Sequence, residues 1–420
     1  MMRILCLFDY GETTNTGFAS VSRNIKKELK KHFGEKLHLD IVAINFFGKI
    51  INDKEELVYE EEDGTFVISA KKTDFKDDDF GRYGFLKLLK ENDFDGVFIM
   101  QDLGVIQPII DIMRNIKSDK AKANKKQFKS IFYFPVDCTL IRPLTKDLEF
   151  FDTIVTYTNF AKEEVCRFKP ELRKRISVVP HGNNNKDFYY VEDREEVLKF
   201  KKAYFEENSD KFIIVNVNRN QPRKDIPNTI SAFCELKKNW KHEKKPFLYL
   251  HMNPKDPLGW DLRAVMQQTD LVEYEDYMFP PKHMENHEAT RDTLRMIYNS
   301  CDLFVTTTNG EGWGLTITEA MSCRLPIVAP NNTSIKEIGD NGNRIFAITE
   351  FVPHVAMNDN LIREKCFIDD VVSTMEEACD NILENTELVQ KKINTSQAYV
   401  RSLDWKVISK SFIEHFKNTY

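Results

Sequence analysis

Short apolar runs of strand length alternate with helix-length segments along the chain, and this alternation occurs twice. In the first half the strand-like runs are Arg3–Phe8, Leu39–Ile44, Phe66–Ile68, Gly96–Met100, Ile131–Phe134, Thr153–Tyr157 and Ser177–Val179. In the second half they are Phe212–Val217, Phe247–His251, Asp270–Tyr274, Leu303–Val305 and Ile327–Ala329. Strands that alternate with helices form parallel sheets covered on both faces, so each half predicts a doubly wound α/β domain.

The alternation stops near residue 183, where His181–Asn185 has turn-forming residues, and then restarts. A chain of 420 residues is also too long for one core. We therefore predict one Rossmann-like domain over residues 1–185 and a second over residues 186–400. Residues 401–420 are predicted to contain a last helix with an apolar stripe. That stripe consists of Trp405, Ile408, Phe412 and Phe416.

Composition and charge indicate the cellular compartment and the classes of binding partner. Hydrophobic residues make up 41% of the chain and charged residues 30%, which is typical of a globular protein in water. The sequence lacks a signal-peptide pattern, and its 8 cysteines form no C-x-x-C pair, which predicts a reducing, cytoplasmic location. The net charge of −6 argues against nucleic acid as the main partner. The basic segment Lys26–Lys31 leaves two alternatives, a solvated face and peripheral contact with a membrane.

The stretch Asn309–Pro330, NGEGWGLTITEAMSCRLPIVAP, predicts a strand end, a Gly-rich turn, a short helix and a second strand. Such a turn leaves free N–H groups at the start of a helix, which favours phosphate binding. Glu319, inside the helix, could hold a ribose through vicinal hydroxyls. Glu311, before the helix, would lie nearer a sugar beyond the phosphates. The alternative is a pair of exposed glutamates that favour the helix dipole.

Two other turns follow strand-like runs and suit an anion. The turn after the first strand of the second half contains Arg219, Arg223 and Lys224. Arg presents a fork of donors and Lys a point charge, which suits a diphosphate, although a solvated basic loop is the alternative. After the first strand of the chain, Gly17 permits close approach of the backbone to a ligand. An ordinary Gly turn is an equal alternative there.

Metal-binding patterns are weak. The acidic run at residues 77–79 has D-x-D spacing, but it lies in a charged loop and follows no strand-like run. His283 and His287 have helical spacing without the H-E-x-x-H order, and two prolines before them predict a loop. No nucleophile-elbow, P-loop or dinucleotide-binding string follows a strand-like run.

Together these features resemble the retaining glycosyltransferases of family four, which have the GT-B fold of two doubly wound Rossmann-like domains facing a central cleft. The family signature E-G-[FW]-G-L-x-x-x-E-A-M is matched by Glu311–Met321. Its G-x-P-V-V-A string corresponds to Arg324–Ala329, with the usual Gly before Pro326 altered to Arg324-Leu325. Arg219 and Lys224 match an Arg and a Lys that follow a strand in the family. Pro180–Phe188 resembles the family's hinge pattern, P-x-G-v-D-x-x-x-F. The family's N-terminal Gly turn matches at Gly17.

The resemblance implies that residues 1–185 are the acceptor-side domain, that residues 186–400 are the donor domain, and that residues 401–420 pack across the domain boundary, as the terminal helix does in similar proteins. It also implies roles on the phosphate side of a nucleoside-diphosphate sugar. Arg219 and Lys224 would neutralise the donor's diphosphate. The backbone N–H groups of Leu315 and Thr316, which follow Gly314, would cap its outer phosphate.

On the sugar side, the resemblance implies that Glu319 holds the ribose and Glu311 the transferred sugar. Gly17 would let the N-terminal loop reach the donor across the cleft. Where family members often carry a His, this chain has Asp137, which could bind a sugar hydroxyl or cap a turn. His181 also replaces the usual Asn of the hinge.

The expected activity is transfer of a hexose from a UDP- or GDP-sugar to a hydroxyl of a glycan, lipid or small molecule. The resemblance implies retention of anomeric configuration and no metal or other cofactor, the nucleotide sugar being a co-substrate. Two alternatives stay open. One is a nucleotide-sugar epimerase of the same architecture, and the other is a binding module that recognises nucleotide sugars without turnover.

Overall fold

The computed structural model describes residues 1–11, 16–46, 49–51, 54–70, 78, 80–281, 289–356 and 360–420. The strands are β1 (Met2–Asp9), β2 (Leu37–Ile44), β3 (Lys49–Ile51), β4 (Lys54–Glu56), β5 (Val58–Glu60), β6 (Phe66–Ser69), β7 (Gly96–Met100), β8 (Lys129–Phe134), β9 (Thr153–Thr156), β10 (Ile176–Val178), β11 (Phe212–Val217), β12 (Pro246–His251), β13 (Tyr277–Met278), β14 (Leu303–Val305), β15 (Ile327–Pro330), β16 (Phe346–Ile348), β17 (Phe351–Val355) and β18 (Ile362–Cys366). The helices are α1 (Gly17–Phe33), α2 (Arg82–Glu91), α3 (Leu103–Lys122), α4 (Asn159–Phe168), α5 (Arg194–Phe205), α6 (Ile226–Asn239), α7 (Leu262–Met266), α8 (Arg291–Ser300), α9 (Leu315–Ser322), α10 (Thr333–Ile338), α11 (Ile368–Leu383), α12 (Glu387–Ser402) and α13 (Trp405–Thr419).

One compact unit consists of Met1–Val136, Leu140–Gly182 and Trp405–Tyr420. Its sheet has the order β10-β9-β8-β7-β1-β2-β6-β5, and neighbouring strands run parallel except β5 and β6. Helix α13 packs against α1, and its Phe416 ring lies 5.3 Å from that of Phe98 on β7. Three residues of the apolar stripe predicted for the last helix, Trp405, Phe412 and Phe416, are therefore buried, and Ile408 is partly buried.

The second unit consists of Asp137–Thr139 and Asn183–Asp404. Its sheet is parallel, with the order β13-β12-β11-β14-β15-β16. The chain moves outward from β11 to β13 and returns to β14 on the other side of β11. The strand order therefore reverses between β11 and β14, and open α/β sheets bind ligands at the carboxyl ends of the strands at such a point.

The prediction of two doubly wound α/β sheets is confirmed, and one predicted strand is wrong. Asp270–Tyr274 forms a turn, and the strand that pairs with β12 is Tyr277–Met278. The Asp276 carboxylate accepts the Val272 N–H at 2.9 Å, which folds the segment back. Tyr274 has a φ of +66° and is 66% exposed, so its apolar character does not reflect burial.

The predicted domain limits at residues 185 and 400 stay predictions, as does the contact of residues 401–420 across a boundary. Among the described residues, no helix is both long enough and apolar enough to cross a membrane. Lys26, the first residue of the basic segment of α1, is buried and forms an ion pair with Glu61 at 2.6 Å. That lysine is therefore not part of a free basic face.

Candidate functional site

Two loops at the reversal point of the second sheet are bonded to each other. One follows β11 and contains a 3₁₀ turn over Pro222–Lys224, and the other follows β14. The N–H of Asn309 donates to the carbonyl oxygen of Arg223 at 2.8 Å. Thr307 Oγ1 donates to the carbonyl oxygen of Asp225 at 2.9 Å. These hydrogen bonds therefore join the two predicted anion-binding turns into one surface.

Glu311 and Lys224 meet on this surface as a buried ion pair. Lys224 Nζ bonds Glu311 Oε1, and Arg223 Nη1 lies 3.0 Å from Glu311 Oε2. Burial raises the pKa of Glu311, but the two cations outweigh it and hold that pKa at about 2. Burial lowers the pKa of Lys224, and Glu311 opposes this shift. Glu311 is therefore a fixed carboxylate.

Asp137 joins the same cluster through two arginines. Arg223 Nε lies 3.2 Å from Asp137 Oδ2, and Arg363 Nη1 lies 3.3 Å from Asp137 Oδ1. Arg363 is buried on β18, and the same nitrogen donates to the carbonyl oxygen of Asp137 at 3.3 Å. The cluster thus contains three cations, Arg223, Lys224 and Arg363, and two carboxylates. Its excess positive charge suits an anion.

Helix α9 begins just after Glu311, as predicted. Gly314 is its N-cap and has a φ of +103°, a conformation that favours glycine. The first N–H groups of a helix have no partner inside the helix. In the described part of the chain no group accepts from the N–H of Leu315 or Thr316. These two donors are therefore available to an anion.

Glu319 lies in α9, one turn beyond these donors, and is partly buried. Tyr298 donates its hydroxyl to Glu319 Oε2 at 3.1 Å. Burial is the largest influence on this carboxyl and raises its pKa to about 7, although Tyr298 and Arg291 act in the opposite direction. The pKa values of the two glutamates of the motif are therefore shifted in opposite directions. Glu311 is ionised near pH 7, whereas Glu319 has a pKa close to 7.

Arg219 is placed apart from this ion-pair cluster. Its side chain is 54% exposed, and its Nε lies 2.8 Å from Asp256 Oδ2. Asn220 beside it is buried and bonds the loop that carries Asp256, donating to the Trp260 carbonyl oxygen at 2.7 Å and accepting the Trp260 N–H at 3.1 Å. Arg219 is therefore held on a fixed loop but keeps much of its guanidinium in solvent.

Two predicted positions lie in the first unit. Gly17 is the exposed first residue of α1, after Thr16, whose hydroxyl accepts the Ala19 N–H at 3.1 Å. His181 is buried, and its Nδ1 lies 2.8 Å from the Tyr133 hydroxyl. Burial lowers the pKa of His181 to about 3, so the ring is neutral near pH 7. His181 is thus a core residue, and the role of Gly17 stays a prediction.

The candidate metal patterns give no site among the described residues. There, no group of three or more His, Cys, Asp or Glu side chains is placed to hold a metal ion. In the acidic run, Asp78 accepts the N–H groups of Arg82 and Tyr83 at 2.7 and 2.9 Å and so stabilises the start of α2. Asp77 and Asp79, which give the run its D-x-D spacing, lie outside the described residues, as do His283 and His287.

Three partners of the predicted site residues were missed from the sequence. Arg223 was visible as a third cation in its turn, but the spacing gave no reason to prefer it. Arg363 had no signal, because its contact with Asp137 spans 226 positions and depends on the hairpin of β17 and β18. Asp256 likewise had none, because it lies in a loop that Asn220 shapes.

Sequence comparisons match part of the chain. Residues 261–358 match the model of a family described as Glycosyl transferases group 1. A probable sucrose-phosphate synthase of Thermosipho melanesiensis is 27% identical over 236 residues, which cover 54% of this chain and 49% of that protein. An alpha-monoglucosyldiacylglycerol synthase of Acholeplasma laidlawii is 24% identical over 196 residues, 44% of this chain and 45% of that protein. The matched segments thus span about half the length of each relative.

Solved structures match the whole chain. Anabaena HepE, in complex with UDP and glucose, has a TM-score of 0.67 at 12% identity and covers 100% of both chains. A sucrose-phosphate synthase from Thermosynechococcus elongatus has a TM-score of 0.68 at 13% identity, covering 100% of this chain and 99% of that one. WaaG, a glycosyltransferase of lipopolysaccharide biosynthesis, has a TM-score of 0.65 at 12% identity, covering 98% and 99%. At these identities the likeness shows the fold alone.

Proposed function

We propose that this chain, which carries the group 1 glycosyl transferase signature on a GT-B fold, transfers a hexose from a nucleoside-diphosphate sugar to a hydroxyl acceptor with retention and without a metal ion. The family match and the fold confirm the resemblance predicted from the sequence. The activity itself, the donor and the acceptor are proposals.

One observation carries the proposal. The buried Lys224–Glu311 pair and the free N–H groups of Leu315 and Thr316 lie at one strand-order reversal. An excess of positive charge beside a helix start suits a diphosphate, and a carboxylate fixed next to it suits the hydroxyls of an attached sugar. N–H donors that suit a phosphate and a carboxylate that suits sugar hydroxyls therefore lie within one loop and the helix that follows it, which supports a nucleotide-sugar site.

The barrier of the proposed reaction is set by the charge that builds on the departing diphosphate. Arg219, Lys224 and the start of α9 would stabilise that charge, because preorganised donors act most strongly where charge develops. The acceptor oxygen forms a bond to the anomeric carbon on the face from which the phosphate leaves. The bond between the anomeric carbon and the phosphate oxygen breaks. The acceptor's proton passes to the leaving diphosphate, so no separate base is needed. Asp137, held by Arg223 and Arg363, is proposed to bind a hydroxyl of the sugar.

A thermal-shift screen with UDP-, GDP- and ADP-sugars tests donor recognition. UDP-glucose is the first candidate, because the similar HepE structures hold UDP and UDP-glucose. Product analysis with the best donor and a panel of glycans, lipids and small hydroxyl compounds then tests transfer. If no nucleotide sugar shifts the unfolding temperature, the proposal is wrong.

The same samples separate the two alternative functions. An epimerase would change the donor's sugar with no acceptor present, which mass spectrometry after chromatographic separation of the sugars detects. A binding module would bind the donor but neither hydrolyse nor transfer it across the acceptor panel. The cytoplasmic location and any peripheral membrane contact stay proposals, which fractionation of cells and vesicle sedimentation test.

Arg219→Ala is expected to lower kcat/KM for transfer about 100-fold, the effect of losing one transition-state donor. The Arg219 side chain is 54% exposed, and Asp256, which is 9% exposed, keeps a hydrogen bond from the Leu258 N–H at 2.9 Å, so the unfolding temperature should stay within about 1 °C of wild type. Arg173→Ala is the matched control, because the Arg173 side chain is 53% exposed and is also paired, with Glu163. Unchanged transfer in Arg219→Ala, or equal losses in both variants, would contradict the role of Arg219.

Donor affinity is expected to rise with pH because of Glu319. The pKa of about 7 means that roughly a tenth of this carboxyl is ionised at pH 6 and nine-tenths at pH 8. The carboxylate accepts hydrogen bonds from ribose hydroxyls better than the neutral acid, so affinity for UDP-glucose should increase up to about tenfold across that range. Calorimetric titration measures this increase. Glu319→Gln should bind weakly and without the pH dependence; an unaltered pH profile in this variant would assign the dependence to another group.

A further inference from the structure

The backbone of Glu311 is held as firmly as its side chain. Its N–H donates to Thr333 Oγ1 at 3.0 Å, and Ser334 Oγ donates to its carbonyl oxygen at 2.8 Å. Ser334 Oγ also lies 2.8 Å from the carbonyl oxygen of Trp313. Two consecutive hydroxyls at the start of α10 therefore bind both polar backbone groups of Glu311.

Thr333 makes this contact from an unfavourable backbone conformation. Its φ is +44°, in the left-handed region, where a β-branched residue is an outlier. The residue before it, Asn332, is extended with a φ of −130°, so the chain turns sharply at Thr333. Strained residues persist where the surrounding contacts hold them, and they concentrate at functional sites.

A glycine at position 333 would relieve the strain but would lose two contacts. Glycine adopts positive φ freely, yet it has no hydroxyl to accept the Glu311 N–H. The Thr333 methyl group also lies 3.2 Å from the position of a Cβ built on Gly310, so it packs closely against the loop that carries Glu311. The side chain, and not the turn alone, accounts for a threonine in this conformation.

We propose that Thr333 is a positioning residue for the sugar end of the donor. It holds the Glu311 backbone so that the carboxylate stays beside Lys224 and Arg223, where it can bind the transferred sugar. This inference rests on the proposed function. Nucleotide recognition is assigned to other groups, so losing the Thr333 hydroxyl should weaken binding of the sugar and leave binding of the nucleotide unchanged.

The test compares the dissociation constants of UDP-glucose and UDP, or of the corresponding pair identified by the donor screen. Thr333→Val keeps the shape but removes the hydroxyl, and should weaken UDP-glucose binding about tenfold while UDP binding changes less than about twofold. Thr333→Ser keeps the hydroxyl and should restore the wild-type ratio of the two constants. Thr156→Val is the matched control: it removes a buried hydroxyl that donates to the Phe134 carbonyl oxygen at 2.8 Å, so it should reduce stability without changing the ratio.

Thr333→Gly separates strain from hydrogen bonding. Relief of the strain of the left-handed backbone conformation should offset the lost hydrogen bond. The unfolding temperature should therefore lie between the wild-type value and about 2 °C above it. UDP-glucose binding should nevertheless weaken as in Thr333→Val. Equal losses for UDP and UDP-glucose, or no loss in either variant, would overturn the role of Thr333 while the proposed function stands. A wild-type protein that binds no nucleotide sugar would overturn both.

Discussion

Lys224→Met is expected to lower kcat/KM for transfer about 10³-fold and to destabilise the protein at the same time. The variant removes the cation that Glu311 Oε1 contacts, and leaves a buried carboxylate with Arg223 as its remaining strong partner. Arg223 alone compensates the buried carboxylate only in part, so the loss of Lys224 should lower the free energy of unfolding by about 3 kcal/mol. Transfer assays and urea unfolding at pH 7 measure the two effects.

The double variant Lys224→Met/Glu311→Gln distinguishes the two losses. Removing both charges leaves no buried ion unpaired, so most of the stability should return. Transfer should not return, because neither the phosphate cation nor the sugar-binding carboxylate is present. Recovery of transfer together with stability would contradict the proposed roles of both residues and would show that Lys224 matters only for folding.

The stability loss in Lys224→Met is also expected to depend on pH. In the wild type the cations hold the pKa of Glu311 at about 2, below its ordinary value of 4.5. A carboxyl whose pKa is lowered by folding stabilises the fold at pH values above its ordinary, unfolded-state pKa. This contribution is lost as the pH falls towards the folded-state pKa. The difference in stability between wild type and Lys224→Met should therefore shrink on acidification below about pH 4.5.

The sequence was most informative where a single string determines local geometry. Strand β14, the Gly-rich turn, α9 and strand β15 all lie within Asn309–Pro330 and its preceding apolar run, and each could be predicted from neighbouring residues. The two loops that carry Lys224 and Glu311 were each predicted as ligand-binding turns at the carboxyl ends of parallel strands, but the ion pair between these two residues was not predicted. Here the fold places residues 87 positions apart into contact.

The sequence was uninformative where a contact depends on an irregular element. Arg363 reaches Asp137 only because the hairpin of β17 and β18 forms, and that hairpin was not predicted. The positive φ of Thr333 has no compositional signal, since β-branched residues ordinarily avoid it. Asp270–Tyr274 was misassigned because its apolar residues lie in an exposed turn that Asp276 stabilises.

Gly310→Ala is expected to impair both stability and transfer more than its single added methyl group would suggest. A Cβ at Gly310 would lie 2.0 Å from the carbonyl oxygen of Asp137, and the φ of +152° is itself disfavoured for other residues. The loop would have to move, carrying Glu311 with it. We expect a loss of about 3 kcal/mol in the free energy of unfolding, measured in urea, and a fall of about 100-fold in kcat/KM.

Two controls identify the cause of this loss. Gly104→Ala places a methyl group in helix α3 with Leu144 Cδ2 as its nearest neighbour at 3.8 Å, so it should stabilise the protein by about 0.5–1 kcal/mol. Asp137→Ala combined with Gly310→Ala should not recover stability, because the clash is with the backbone oxygen of Asp137 and not with its carboxylate. Wild-type stability in Gly310→Ala would mean that the loop carrying Glu311 can move to accommodate the added methyl group. The close approach of Asp137 to Gly310 would then not fix the position of the Glu311 carboxylate.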